Sequence, residues 1–279
     1  TQIRTLRWWI WGLVCICNIQ YGSAQELLVN VYGRQYTLLN GKWNAIIDPY
    51  QQGRKTAIYR NRALKDKADF KEYAFEGGLR LNVPSDWNSQ IPELKYYEGT
   101  MWYARKFEIN KKSDENLFLY FGAVNYRCRV YLNGTLIGSH EGGFTPFQFN
   151  VTNVVKEGGN FLAVEVDNTR TADAIPALSF DWWNYGGITR DVMLVHTPKN
   201  YIRDYFIQLD KYDSDRVHAE VQLSAQNAGQ LVKIEIPELK IANKVFTDGT
   251  GLAKATFRVR NLERWSPQAP KLYQVIVSS

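Results

Sequence analysis

Cysteine is nearly missing from this chain: three occur in 279 residues. Cys15 and Cys17 lie in an apolar run near the N-terminus, and Cys128 stands alone after it. A lone cysteine can form neither an internal disulfide nor a cysteine-rich metal site. It falls on the apolar side of a strand pattern, so it reads as a small core residue. Histidine is as scarce. His140, His196 and His218 are far apart and lack metal-ligand spacing, so each reads as structural or exposed. There is no Gly-x-Ser-x-Gly elbow, no phosphate loop, no His-Glu-x-x-His, and no Cys-x-x-Cys after the N-terminal run. Gly142-Gly143 and Gly186-Gly187 are not followed by a helix start, so they read as turns rather than phosphate cradles. No metal or cofactor is expected. Long amphipathic helices are also missing, as is any alternation of strand and helix, which excludes a Rossmann fold or a TIM barrel within these residues. No internal repeat or low-complexity tract is present.

Charge is unremarkable. The net charge is +6, but the basic residues are dispersed and form no stripe, so nucleic acid is not an expected partner. Arg4 and Arg7 precede an apolar run, Trp8 to Cys17, and Gly22-Ser23-Ala24 follow as small residues before Gln25. That three-part order is the pattern of a secretory signal peptide. Residues 1–24 therefore read as a leader, with the protein secreted or periplasmic. The other readings of this run are a buried N-terminal strand or a short anchor. The run is too short to span a membrane, which takes about 20 apolar residues, so no membrane span is expected. The chain starts with Thr, and its true start is open upstream.

Aromatic residues are plentiful: nine Trp and seventeen Tyr. They suit β-sheet cores and also sugar-binding surfaces. Between Leu117 and Val151, Cys128, Val130 and Leu132 alternate with Arg127, Arg129 and Tyr131. This period of two marks a strand with one buried face. Asn133-Gly134 follows as a type I′ hairpin signal, Leu136 to His140 returns, and Phe147 to Val151 resumes extended structure. Leu27 to Val31, Leu79 to Val83, Trp102 to Ile109, Phe161 to Val166 and Met193 to His196 are further strand candidates. Arg54 to Glu76 is charged and reads as a loop or short helix. Val83 to Asn88 reads as a turn carrying Trp87 to a domain surface or seam. From Tyr201 onward, six short strand candidates alternate with turns such as Asn227-Ala228-Gly229 and Asp248-Gly249-Thr250-Gly251. That spacing fits an immunoglobulin-type sandwich, which has roughly seven strands. The fold expected is all-β: a jelly-roll sandwich over 25–198, then an immunoglobulin-like β-sandwich over 199–279, incomplete at its C-terminal end.

One segment could carry recognition chemistry. Ser179-Phe180-Asp181-Trp182-Trp183-Asn184-Tyr185-Gly186-Gly187 sets an acid and an amide among large aromatics. A carboxylate accepts hydroxyl hydrogen bonds, and rings stack on sugars, so this suits a carbohydrate. A bulky loop sealing the sandwich is an equal reading of the same residues.

Four segments resemble glycoside hydrolase family 2. They are Tyr97 to Phe107; Val130 to Gly134 with His140 to Phe147; Asn184 to Val192; and Trp265 to Tyr273. The Asn-Tyr-Gly-Gly-Ile form and the Val-Pro-x-x-Trp-Asn turn look most like the β-glucuronidase branch. The resemblance implies a jelly-roll sugar-binding domain, an immunoglobulin-like domain, and then a TIM barrel bearing both catalytic glutamates. Such a barrel takes at least about 200 residues and does not fit in this chain, so no catalytic residue is assigned here. The resemblance implies that Asp181 contacts substrate, with Trp182 and Asn184 joining it by adjacency. Arg190 and Asp191 also match the pattern, but read better as a structural ion pair or turn. The implied function is the non-catalytic N-terminal part of a secreted retaining exo-glycosidase, with a β-glycoside and the missing barrel as partners. A free-standing carbohydrate-binding or scaffold module is the alternative. The sugar's identity and any homo-oligomer are left open.

Overall fold

A computed structural model of the chain describes residues 26–62, 74–213, 215–260 and 262–279. The candidate leader, 1–24, lies outside the described residues, as do Phe70 and Tyr73 of the charged segment.

The first thirteen strands are β1 (Tyr36–Leu38), β2 (Gly41–Ile47), β3 (Leu79–Val83), β4 (Ser85–Asp86), β5 (Thr100–Ile109), β6 (Glu115–Phe121), β7 (Val124–Asn125), β8 (Arg127–Leu132), β9 (Thr135–Glu141), β10 (Phe147–Asn150), β11 (Gly158–Asp167), β12 (Gly187–Ile188) and β13 (Val192–Pro198). They form a four-stranded sheet, β1-β13-β6-β10, and a six-stranded sheet, β3-β2-β5-β11-β8-β9. A small third sheet, β4-β12-β7, stands apart from both. Six more strands follow: β14 (Ile202–Leu209), β15 (Arg216–Leu223), β16 (Leu231–Ile236), β17 (Ile241–Phe246), β18 (Leu252–Arg258) and β19 (Ile276–Ser278). These make two three-stranded sheets, β14-β15-β18 and β17-β16-β19. The molecule is all-β, a jelly-roll sandwich followed by an immunoglobulin-like one.

Sequence pattern explains most of this. At the β8–β9 hairpin, Asn133 and Gly134 have φ of 52° and 84°, the left-handed pair that a type I′ turn needs. The Asn133 side chain also anchors the turn, accepting from the Phe161 N–H at 3.0 Å. Between the two large sheets lie Trp43, Leu81, Tyr103, Leu119, Phe121, Val130, Leu162, Val164 and Leu194. The hydrophobic effect of this one continuous layer is the main term holding the domain together.

Three expectations need correction. Leu27 to Val31 is not a strand: Val31–Gly33 is a 3-10 turn. Leu28 and Val31 cap the outer side of the four-stranded sheet, over Phe118, Tyr120, Met193 and Val195. Strand β8 does not have one buried face. Tyr131 is buried too, stacked 4.3 Å from Tyr59 in a second cluster with Trp102 and Ile58. Segments outside the sheets cover both large sheets, so central strands are apolar on both sides and alternation weakens. Trp87, thirdly, is not at a surface: it is fully buried in the main core. Strands β1, β2 and β6 carry no clear alternation and are new from the structure.

Strand pairing does not cross from β13 to β14 among the described residues. The two sandwiches meet through Tyr201, edge-on to Phe118 at 5.7 Å, and through Arg34, whose Nη2 donates to the Ile202 carbonyl at 2.7 Å.

Cys128 faces the main core, and burial pushes its thiol up to about 12. Thiolate is the reactive form. With Cys15 and Cys17 replaced by serine, a chromogenic disulfide reagent at pH 8 should release no signal from the folded protein and one equivalent after denaturation. Prompt reaction without denaturant would show that the strand opens.

Candidate functional site

The loop from Asn168 to Gly186 connects β11 to β12. Its two ends are fixed by buried asparagines. Asn168 follows β11 and is wholly buried. Its Oδ1 accepts from the Gly99 N–H at 2.9 Å, and its Nδ2 donates to the Asn184 carbonyl at 2.9 Å. Asn184 answers by donating its Nδ2 to the Asn168 carbonyl. Asn125, on β7, donates to Asn184 Oδ1 at 3.1 Å and to the Tyr185 carbonyl. Asn88 accepts from the Gly186 N–H at 2.9 Å and donates to the Leu94 and Tyr97 carbonyls. An amide carries both donors and an acceptor, so a few asparagines can satisfy irregular backbone that no sheet ladder reaches.

Trp87 completes this base. Its backbone N–H donates to the Gly186 carbonyl at 2.8 Å, and its indole N–H to the Tyr97 carbonyl at 3.1 Å. A Cβ on Gly186 would stand 2.1 Å from the Trp87 ring. Gly186-Gly187 is thus not a free turn. Gly186 allows close approach to an indole, and Gly187 pairs with Asp86 in the small sheet.

Past the base, the loop is held at its flank. Arg170 grips Glu98 with two contacts, 2.8 and 3.1 Å, and its Nη1 lies 3.4 Å from the Phe180 carbonyl. A two-pronged guanidinium–carboxylate pair also fixes geometry.

The tip, Phe180 to Trp183, is exposed. Asp181 makes no hydrogen bond or ion pair among the described residues. The Trp182 ring lies 4.2 Å from that of Phe180. Trp183 has other neighbours. Its indole N–H donates to the Lys95 carbonyl at 3.1 Å, and its ring lies 5.0 Å from Tyr96. Beside it is a groove of about 450 Å³, lined by Asn88, Ser89, Ile91, Pro92, Lys95, Trp183 and Tyr185.

Of the three residues expected to contact substrate, Asp181 and Trp182 are accessible and adjacent. Asn184 is 3% exposed, and both ends of its amide are engaged within the loop base. These bonds make it part of the loop base. Arg190 and Asp191 form no ion pair with each other among the described residues. Arg190 donates to the Phe144 carbonyl at 3.2 Å, while Asp191 accepts from Asn40 at 2.8 Å and from the Tyr32 hydroxyl at 3.1 Å. His140 stacks on Phe147, and His196 and His218 pair with Glu115 and Asp210. Among the described residues no cluster of three His, Cys, Asp or Glu could hold a metal, and no helix is long and apolar enough to cross a membrane. Sequence reasoning missed Trp183, Lys95, Asn125 and Asn168. Trp183 stood in the flagged segment, but nothing in sequence separates its role from that of Trp182.

An unpartnered carboxylate flanked by rings on a braced loop can hold hydroxyl groups. It cannot by itself cleave a bond, which for a glycoside takes two carboxyl groups across the scissile oxygen.

Residues 37–198 match the family described as glycosyl hydrolases family 2, sugar binding domain, and residues 200–279 match glycosyl hydrolases family 2. The chain is 26% identical to rat β-glucuronidase, over 95% of this chain and 44% of that protein. It is 30% identical to a β-galactosidase of Thermoanaerobacter pseudethanolicus, over 79% of this chain and 32% of that one. A solved β-glucuronidase of an uncultured Clostridium sp. superposes with a TM-score of 0.72 at 28% identity, covering 92% of this chain and 44% of its own. The chain thus spans less than half the length of these relatives.

Proposed function

Since this chain belongs to glycoside hydrolase family 2, we propose that it is the N-terminal, non-catalytic part of a secreted, retaining exo-glycosidase that removes terminal β-glycosides such as β-glucuronides or β-galactosides. The relatives that it matches are glycosidases of these two kinds. Both reacting carboxyls belong to a barrel that this chain requires as its partner. They stand about 5 Å apart there, as a retaining mechanism needs. This chain supplies Asp181, which reaches from the sugar-binding domain toward the bound glycoside and accepts hydrogen bonds from its hydroxyls. Trp182 shields that contact. The observation that carries this reading is the exposed Asp181, unpartnered among the described residues, at the tip of a loop whose base is fixed by four buried asparagines. The order Arg4, Arg7, apolar run and Gly22-Ser23-Ala24 supports export.

The test is Asp181→Ala in the full-length enzyme. A hydrogen bond to a charged group contributes about 1.5–3 kcal/mol, so kcat/KM for a nitrophenyl β-glycoside should fall roughly 10- to 100-fold. Asp181 has no partner among the described residues, so the unfolding midpoint should not move. Unchanged kinetics would remove Asp181 from the substrate site.

A further inference from the structure

The groove beside Trp183 has three features that the Asp181 contact does not use. First, Trp183 is a pre-set platform. Its N–H is fixed to the Lys95 carbonyl and its ring is braced by Tyr96, yet 39% of the residue remains open. A ring held this way loses little freedom when a ligand stacks on it. Trp182, by contrast, has no hydrogen bond on its indole N–H among the described residues. Second, the groove is mainly apolar, with Ile91, Pro92 and Tyr185 along it. The C–H face of a pyranose is apolar in the same way. Third, Lys95 lines the groove, and its ammonium lies 5.3 Å from the centre of the Tyr96 ring that braces Trp183, with no carboxylate partner among the described residues. A cation next to an apolar platform complements a flat ligand bearing one negative group.

We infer that this groove binds a sugar ring carrying a carboxylate or a sulfate ester, stacked on Trp183 with its anion at Lys95. The inference rests on the reading that the Asp181 loop faces a glycoside, and it adds a second ring next to the one that Asp181 holds. Asp181 and Trp183 are two exposed residues, two positions apart on the same loop. One bound chain can therefore touch both.

The experiment titrates the 279-residue chain with D-galactose 6-sulfate, D-galactose and sodium sulfate, following the Trp183 indole N–H by NMR. D-galactose 6-sulfate should shift that resonance saturably and bind about threefold or more tighter than D-galactose, the size expected of a partly exposed ion pair. Lys95→Gln should abolish the preference and keep D-galactose binding, while Trp183→Ala should lose both sugars. Asp181→Ala should leave the preference intact, which separates this inference from the activity test above. The inference is overturned if neither sugar gives a saturable shift, if sodium sulfate alone reproduces it, or if Lys95→Gln keeps the preference.

Discussion

Trp87→Ala should lower the stability of the first sandwich by about 3–5 kcal/mol, the range for deleting a large buried aromatic. The residue has no exposed surface and packs near Tyr97 and Tyr103, with ring centroids at 6.0 and 6.5 Å. Its removal takes away these contacts and the wall against which Gly186 lies. The surrounding strands are tied into the small third sheet and cannot collapse into the space, so the loss should fall in the upper part of that range. For a domain of this size each kcal/mol moves the midpoint by about 2–4 °C, which gives a drop of roughly 6–20 °C. Trp182→Ala is the control. That ring is 54% exposed, and its loss should change stability by less than about 0.5 kcal/mol. Differential scanning calorimetry of the two variants decides the matter. Similar midpoints for both would mean that Trp87 does not close the core.

That contrast marks where sequence is readable and where it is not. Strand Leu79–Val83 and the Asn133-Gly134 hairpin are legible because local rules decide them: alternation in one, positive φ in the other. The six strands after Tyr201 are legible for the same reason. Burial alternates cleanly in Arg216–Leu223, Leu231–Ile236 and Ile241–Phe246, where the described residues cover only one side of the sheet; Ile202–Leu209 is mostly exposed and shows no such period. Trp87 is not legible. A tryptophan after Pro-Ser-Asp looks like a turn residue, and only the pairing of β4 with β12 across 101 residues pulls it inward. Strands β2 and β6 fail differently. Covering segments bury both of their faces, and a doubly buried strand loses its period. Strand β1 is three residues long, too short to show one.

The site divides along the same line. Asp181 stands out in sequence because an acid among aromatics is chemically odd wherever it lands. The frame that holds it does not stand out. Asn88, Asn125, Asn168 and Asn184 are spread over nearly a hundred residues, and asparagine is ordinary in loops. Their common role exists only after the sheets place them together. Adjacency in sequence therefore draws Asn184 toward Asp181, whereas burial makes it part of the support.

The frame makes the second large prediction. Asn168→Ala should cost about 2–5 kcal/mol, more than most polar substitutions. It leaves the half-buried Gly99 N–H and the buried Asn184 carbonyl without the partners they now have at 2.9 Å. Each orphaned group costs about 1–3 kcal/mol. The damage should also be local. Amides in the 169–186 loop should exchange with solvent much faster, while the Phe118–Phe121 ladder, paired on both sides by β10 and β13, keeps its protection relative to the new global stability. Because Asn88 holds the other end of the same loop through Gly186, the double substitution Asn88→Ala, Asn168→Ala should cost less than the sum of the two singles, since the second finds the loop already released. Strict additivity, or uniform loss of protection across both sheets, would mean that the asparagines stabilise the sandwich generally. The loop bearing Asp181 would then owe its position to some other contact.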